Sequence, residues 1–271
     1  MSNLFRPIGQ AIKQRLYALH LKRLEREAPA WHVPYHLALI LDGNRRFAKK
    51  HHIWDVSSRR FGHDEGADKL EEILHWCQDF GIKIVTAWIF STDNFKRDSE
   101  EVATIFELVK RKAAEFILRP DVHANRIKIR FLGELEALPA DVQEAIHAAE
   151  AATEGYDQYL LNICISYGGR EEIVSAVRQH LQTQLAQGKT LAEVAAAFSP
   201  DAITRHLYTA GLPDPDLIIR TSGELRLGGF LLWQSVYSEY YFCPTYWPEF
   251  SRLDFLRALR AYHTRQRRYG R

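Results

Sequence analysis

Cysteine is scarce in this sequence: Cys77, Cys164 and Cys243 are the only three among 271 residues. They are odd in number and far apart, so they form neither a disulfide framework nor a metal-ligand spacing. They read as reduced, buried thiols of a cytoplasmic protein. Charge of either sign is not in excess. The 36 Lys and Arg against 34 Asp and Glu leave a formal +2. A general nucleic-acid binder would carry a strongly basic face, so no nucleic-acid partner is expected, although a local phosphate site stays compatible. Long apolar runs are missing too. None approaches the roughly 20 residues that span a bilayer, and the N-terminus lacks the compact apolar stretch and cleavage site of a signal peptide. Two familiar phosphate signatures are also absent. Without GxxxxGK[ST] a P-loop nucleotidase is not expected, and without GxGxxG neither is a dinucleotide-binding domain.

What is present is an alternation of strand-like and helix-like segments, with 46% hydrophobic residues to bury. His36–Leu41 is a continuous apolar run, as expected of a strand covered on both faces. Ile82–Phe90, Arg126–Phe131, Tyr159–Ile165 and Leu217–Ile219 read as further strands. Residues 65–79, 99–118, 140–153, 170–187, 190–198 and 252–267 read as helices. The pattern predicts one α/β domain with a mostly parallel central sheet. Residues 1–34 form an N-terminal amphipathic helix and arm, and 35–271 the catalytic body. In residues 8–27, Ile8, Ile12, Leu16 and Leu19 recur at helical spacing among basic residues. That helix either docks on the domain or rests on a membrane surface as a peripheral contact.

The chemistry gathers at the predicted strand ends: Asp42-Gly43-Asn44-Arg45-Arg46, Ser91-Thr92-Asp93-Asn94, Ser166-Tyr167-Gly168-Gly169-Arg170 and Arg220-Thr221-Ser222-Gly223-Glu224. Ligands of open α/β sheets bind outside the carboxyl ends of the strands, so these segments predict one shared polar pocket. Arg45, Arg46, Arg59, Arg97, Arg220 and Arg226 on or near them suit phosphate oxygens. Gly43, Gly168 and Gly223 let backbone approach an anion. Asp42 follows an apolar strand, where an unpaired carboxylate is costly. It needs a cation, such as Mg2+ shared with phosphates, unless it is a helix cap or an ion-pair partner of Arg46. Residue chemistry alone therefore stops at a Mg2+-dependent enzyme acting on a phosphorylated substrate.

The motifs go further. Asp42-Gly43-Asn44-Arg45-Arg46-Phe47-Ala48, Gly62-His63-Asp64-Glu65-Gly66, Phe90-Ser91-Thr92-Asp93-Asn94-Phe95-Lys96-Arg97, Tyr167-Gly168-Gly169-Arg170, Asp216–Glu224 and Phe230-Leu231-Leu232-Trp233-Gln234 occur in that order. Together they resemble the signatures of the cis-prenyltransferases, the undecaprenyl diphosphate synthase family, from about residue 32 to the end. The resemblance implies condensation of isopentenyl diphosphate with an allylic diphosphate on an α/β fold with an apolar tunnel for the isoprenoid. It implies Asp42 as the Mg2+ ligand, with Gly43, Asn44, Arg45, Arg46 and Arg59 cradling the allylic diphosphate. Arg97, Arg220 and Arg226, followed by Leu227 and Gly228, serve isopentenyl diphosphate. Asn94, Ser91 and His63 match residues of the proton-loss step, and Thr92 and Asp93 belong to the same substrate-binding segment. An amide is a poor proton acceptor, so Asn94 is expected to orient substrate while a phosphate oxygen or His63 takes the proton. Alternatively His63 merely packs.

Glu239 matches a carboxylate completing the metal site from a partner subunit. Arg268-Tyr269-Gly270 resembles a C-terminal element reaching into the neighbour's site, or is an ordinary basic tail. Both features imply a homodimer. Gly228 departs from a common serine, and Phe47 and Phe95 replace tryptophans of the family pattern while keeping an aromatic wall.

Ile89 falls where long-chain members tend to have a small residue, so volume exclusion would limit elongation. The Arg45-Arg46 pair, Thr221–Glu224 and the Tyr-Gly-Arg ending also resemble short-chain (2Z,6E)-farnesyl diphosphate synthases. A short product is the expectation. A long-chain synthase for cell-wall carrier lipid, a non-catalytic subunit of a heteromeric enzyme and a cyclising relative are the alternatives.

Overall fold

In the computed structural model the chain is described over residues 5–51 and 56–265, with side chains over 14–51 and 61–265. The Arg59 side chain, those of Ile8 and Ile12, and the 268–270 segment lie outside the described residues.

The sheet is built around the apolar run anticipated at residue 36. All residues of β1 (His36–Ile40) are buried. Leu37 and Leu39 enter one core cluster, and Ala38 and Ile40 enter the other. A strand covered on both faces has no polar side, which is why this run does not alternate. β2 (Ile84–Trp88), β3 (Ile127–Leu132), β4 (Tyr159–Cys164), β5 (Leu217–Arg220) and β6 (Glu239–Phe242) complete a sheet of order β3-β4-β2-β1-β5-β6. Every pairing is parallel. β3 lies at one edge, and there Ile127, Ile129 and Phe131 are buried while Lys128 and Arg130 are only partly covered. β6 is the other edge, and its Glu-Tyr-Tyr-Phe sequence lacks both an apolar run and a clean alternation, so it was not expected.

The helices are α1 (Phe5–Glu27), α2 (Asn44–Lys50), α3 (Val56–Asp79), α4 (Ser99–Leu118), α5 (Pro120–Ala124), α6 (Ala140–Thr153), α7 (Gly169–Ala186), α8 (Leu191–Ala197), α9 (Pro200–Thr204) and α10 (Arg252–Thr264). α3, α4, α6 and α10 bury their apolar stripes in the larger core cluster. The short helices α2, α5 and α9 were missed. Each spans about a turn or two, too short for a periodic pattern to emerge. α1 and the turn that follows it dock on α10 through Leu24 and Ala28, which pack with Leu253 and Leu256. Of the stripe read from the sequence, Leu16 and Leu19 do not dock on the domain: they are 61% and 59% exposed. No helix among the described residues is long and apolar enough to cross a membrane. The three cysteines are buried and free, and burial pushes each thiol pKa up.

Candidate active site

The chain leaves β1 through Asp42 and turns at Gly43 into α2. Gly43 has φ +116°, a conformation a side chain would strain, and a Cβ there would stand 3.0 Å from Tyr246. The Asp42 carbonyl is pinned twice, by Thr221 Oγ1 at 2.6 Å and by the Trp247 amide at 3.1 Å. Its side chain is held as firmly. Arg220 Nη2 donates to Oδ2 at 2.8 Å and Arg46 Nη2 to Oδ1 at 3.1 Å. Arg46 also donates to Ser222 Oγ at 2.6 Å and Glu224 Oε1 at 3.1 Å, and Glu224 pairs with Arg226. Burial opposes the Asp42 charge, but Arg220, Ser222 and Arg46 outweigh it and hold the carboxyl below the usual range.

Across the pocket a second carboxylate organises the other cations. Glu101 is 2% exposed. Its Oε1 accepts from Arg97 Nη1 at 3.0 Å and lies 3.7 Å from His63 Nε2, while its Oε2 lies 3.8 Å from Arg45 Nε. Burial would raise its pKa, yet His63, Arg97 and Arg45 hold it at about 2. Sequence reasoning passed over Glu101. A signal was available, because it continues the buried stripe of α4 through Ile105, Val109 and Ala113. A charge on an apolar stripe calls for a partner. Lys49, which also lines the pocket, was missed as well.

The polar pocket is lined by Asp42, Gly43, Asn44, Arg45, Arg46, Lys49, His63 and Arg97, with Leu41 and Ile89. An apolar cavity adjoins it, running between α3 and α4 past Leu70, Ile105, Val109, Phe116, Phe131 and Trp247. The two share Leu41, Asn44, His63 and Ile89. A polar head and a hydrocarbon tail of one ligand would meet at those residues. Asn44 Oδ1 and His63 Nε2 are buried there without a hydrogen-bond partner, an arrangement that favours a polar ligand; Nε of Arg220, the partner of Asp42, is likewise unpartnered.

Gly62 and Gly66 explain how α2 and α3 come close enough to form this wall. A Cβ on Gly62 would stand 2.6 Å from the Asn44 carbonyl oxygen, and one on Gly66 would stand 2.9 Å from Asn44 Oδ1. The glycines serve close packing, and His63 between them is delivered into the pocket.

Other expected site residues stand elsewhere. Ser91 and Asn94 form a reciprocal capping box, with the Ser91 amide donating to Asn94 Oδ1 at 3.1 Å. They flank the pocket and do not line it. Thr92 follows Ser91 in that turn, and its amide donates to the Tyr167 carbonyl at 3.3 Å. Asp93 is 81% exposed and pairs with Lys96. Phe47 is buried against Phe61 and His51, and Phe95 packs on Phe90 and Phe106, so neither lines the apolar cavity. Leu227 and Gly228 lie in the turn after Arg226, with Gly228 close to Arg220 Nη1. Glu239 begins β6, in register with Leu217, and therefore sits at the opposite end of the sheet from Asp42. Within its own chain it pairs with Arg265 at 2.7 Å.

Known proteins resemble this chain in sequence and fold. Residues 40–270 match the prenyltransferase family whose model is described as undecaprenyl diphosphate synthase. An isoprenyl transferase of Deinococcus radiodurans is 52% identical over 250 residues, 92% of this chain and 90% of its own length. A (2Z,6E)-farnesyl diphosphate synthase of Thermobifida fusca is 46% identical over 255 residues, 94% of this chain and 97% of that protein. The crystal structure of lavandulyl diphosphate synthase from Lavandula x intermedia with dimethylallyl diphosphate superposes with a TM-score of 0.80 at 31% identity, covering 88% of this chain and 99% of that one. A fully parallel sheet, a cation-rich pocket at its carboxyl end and an adjoining apolar cavity thus come together in a chain that belongs to the undecaprenyl diphosphate synthase family and is a prenyl transferase.

Proposed function

We propose that this chain condenses isopentenyl diphosphate with an allylic diphosphate into a short cis-configured prenyl diphosphate. The observation that carries the reading is the junction of polar pocket and apolar cavity at Leu41, Asn44, His63 and Ile89. The allylic diphosphate lies against the α2 amino end, with Arg45 and Arg46, and its hydrocarbon enters the cavity. Arg97, Arg220 and Arg226 bind the second diphosphate. Asp42 already serves as the anion for Arg46 and Arg220, the guanidinium groups a diphosphate would engage.

Magnesium suits the donor set. Among the described residues no group of three or more His, Cys, Asp or Glu side chains could cage a metal. Mg2+ needs only one or two carboxylates when substrate phosphates and water supply the rest, and Asp42 is a partly exposed carboxylate among phosphate-binding cations. Bound there, the ion would neutralise charge on the departing diphosphate.

The arginines hold that diphosphate as the allylic C–O bond breaks. The terminal alkene carbon of isopentenyl diphosphate bonds to the allylic carbon, and a proton is lost from its C2. His63 Nε2, buried in the pocket 3.7 Å from Glu101 Oε1, accepts that proton, and the carboxylate stabilises the imidazolium that forms. Asn94 contributes by shaping the 91–97 turn.

The branched Ile89 at the cavity entrance favours a short product, as does the farnesyl-type relative. Incubation with labelled isopentenyl diphosphate and dimethylallyl, geranyl or farnesyl diphosphate tests this. Mainly C50–C55 products would overturn the short-chain reading and leave the long-chain one.

The reading includes one catalytic domain acting as a cytoplasmic homodimer, with Glu239 and the 268–270 segment serving the neighbour's site. The exposed Leu16 and Leu19 of α1 offer a peripheral membrane contact. Mixing inactive Asp42→Ala and Glu239→Ala proteins checks the dimer. If Glu239 acts in trans, one site of the mixed dimer keeps both carboxylates and activity returns; if it acts in cis, none does.

A further inference from the structure

We infer that Glu101 is a positioning residue for the isopentenyl diphosphate side of the pocket, acting through Arg97. The inference rests on the assignment of Arg97 to that substrate in the reading above. Two carboxylate-centred clusters flank the pocket. Asp42 and Glu224 hold Arg46, Arg220 and Arg226 on the β5 side. Glu101 alone faces Arg45 from α2, His63 from α3 and Arg97 from the segment entering α4.

The distances rank its effects. Arg97 Nη1 is in hydrogen-bond contact at 3.0 Å, whereas His63 and Arg45 stand at 3.7 and 3.8 Å. Arg97 is four residues before Glu101, and among the described residues Glu101 is the carboxylate that hydrogen-bonds its guanidinium, so without it the guanidinium regains rotamer freedom. Glu101 itself is rigidly placed. It lies in the first turn of α4, where the helix amino end favours a negative charge, and its helix continues into the core. A buried carboxylate at this position fixes the fork of Arg97 before substrate arrives. Arg46 makes no ion pair with Glu101, and Arg45 stands beyond hydrogen-bond reach at 3.8 Å, so the allylic side should be affected much less.

The test is steady-state kinetics of Glu101→Gln, Glu101→Asp, Arg97→Ala and the Glu101→Gln/Arg97→Ala double variant, each substrate varied in turn. Glu101→Gln keeps the shape and removes the charge. It should raise KM for isopentenyl diphosphate about tenfold while KM for the allylic diphosphate stays within about twofold. The double variant should match Arg97→Ala within about twofold, because the two residues act as one unit. Glu101→Asp should recover part of the loss. Equal shifts in both KM values would overturn the proposal, as would losses that multiply in the double variant. A change confined to the melting temperature would do the same, reducing Glu101 to a stabilising ion-pair partner. If Arg97→Ala raises KM for isopentenyl diphosphate and Glu101→Gln does not, the positioning role alone falls. If Arg97→Ala has no effect on that KM, the substrate assignment fails and the positioning role fails with it.

Discussion

Arg220, the last residue of β5, donates through Nη2 to Asp42 Oδ2 at 2.8 Å, joining the carboxyl ends of two neighbouring parallel strands. The contact is nearly buried on one side, since Arg220 is 6% exposed. Removing the Asp42 charge leaves the Arg46 and Arg220 guanidinium groups without their shared anion, whatever it does to the proposed metal. Asp42→Asn keeps the side-chain shape. It should lower kcat by about 10²–10³, the scale of losing one preorganised electrostatic contact, with the circular dichroism spectrum unchanged. Activity within tenfold of the parent would reduce Asp42 to an anchor for the arginines.

Ile89 borders both the polar pocket and the apolar cavity. In the proposed binding mode a side chain there would meet the growing prenyl chain just beyond its diphosphate, so its volume would act early in elongation. Ile89→Ala should lengthen products by one or more C5 units, read by chromatography of the dephosphorylated alcohols. Unchanged product length would make Ile89 ordinary core packing.

Much of this site was legible because polar, glycine-bearing residues follow apolar runs. That pattern locates strand ends, and strand ends of a parallel sheet share one edge. Asp42, Arg46, Arg97 and Arg220 were picked out this way, and the structure brings the first three to one pocket, with Arg220 bonded to Asp42. What escaped depends on facts outside any local pattern. β6 gains its strand identity from pairing with β5. Asn94 satisfies the Ser91 amide in a tight turn, a use its motif does not display. Phe47 was read as a wall of the isoprenoid site because it is aromatic, yet α2 turns it toward Phe61. Glu101 is the exception: it was readable as a charge on the apolar stripe of α4, but an acidic first turn looks ordinary, so it was passed over.

Gly62 links packing to the site. Alanine in a helix is favoured over glycine by about 1 kcal/mol, so Gly62→Ala on an exposed face would stabilise. Here the added methyl would stand 2.6 Å from the backbone carbonyl of Asn44, which cannot rotate away. Separating α2 from α3 should cost about 1–3 kcal/mol, outweighing the propensity gain. A lower urea midpoint, together with weakened binding of the allylic diphosphate as Asn44 and Arg45 shift, is the expected result. A raised midpoint would show that the helices part without strain.

His36 gives the fold a pH dependence of its own. It is 1% exposed. Its Nδ1 lies 2.8 Å from the Pro213 carbonyl, which can only accept, so Nδ1 carries the proton. Nε2, 2.8 Å from Thr86 Oγ1, then accepts from that hydroxyl, which in turn accepts from Asn162 Nδ2 at 3.0 Å. Protonating Nε2 would break this row across β1, β2 and β4. Burial, opposed by Pro213 and Asp216, lowers the His36 pKa from 6.5 to about 4. Between those values the unfolded chain binds the proton and the folded chain does not, so stability falls as pH drops through that window. The contribution is fully present above 6.5, and the loss approaches about 3 kcal/mol near pH 4. Glu172, whose pKa burial raises, titrates in the opposite sense. The slope is therefore read as the difference in urea unfolding between the parent and His36→Gln at pH 7.5 and 4.5. The parent should lose the extra stability and the variant should not; parallel profiles would mean that protonated His36 finds another partner in the folded state.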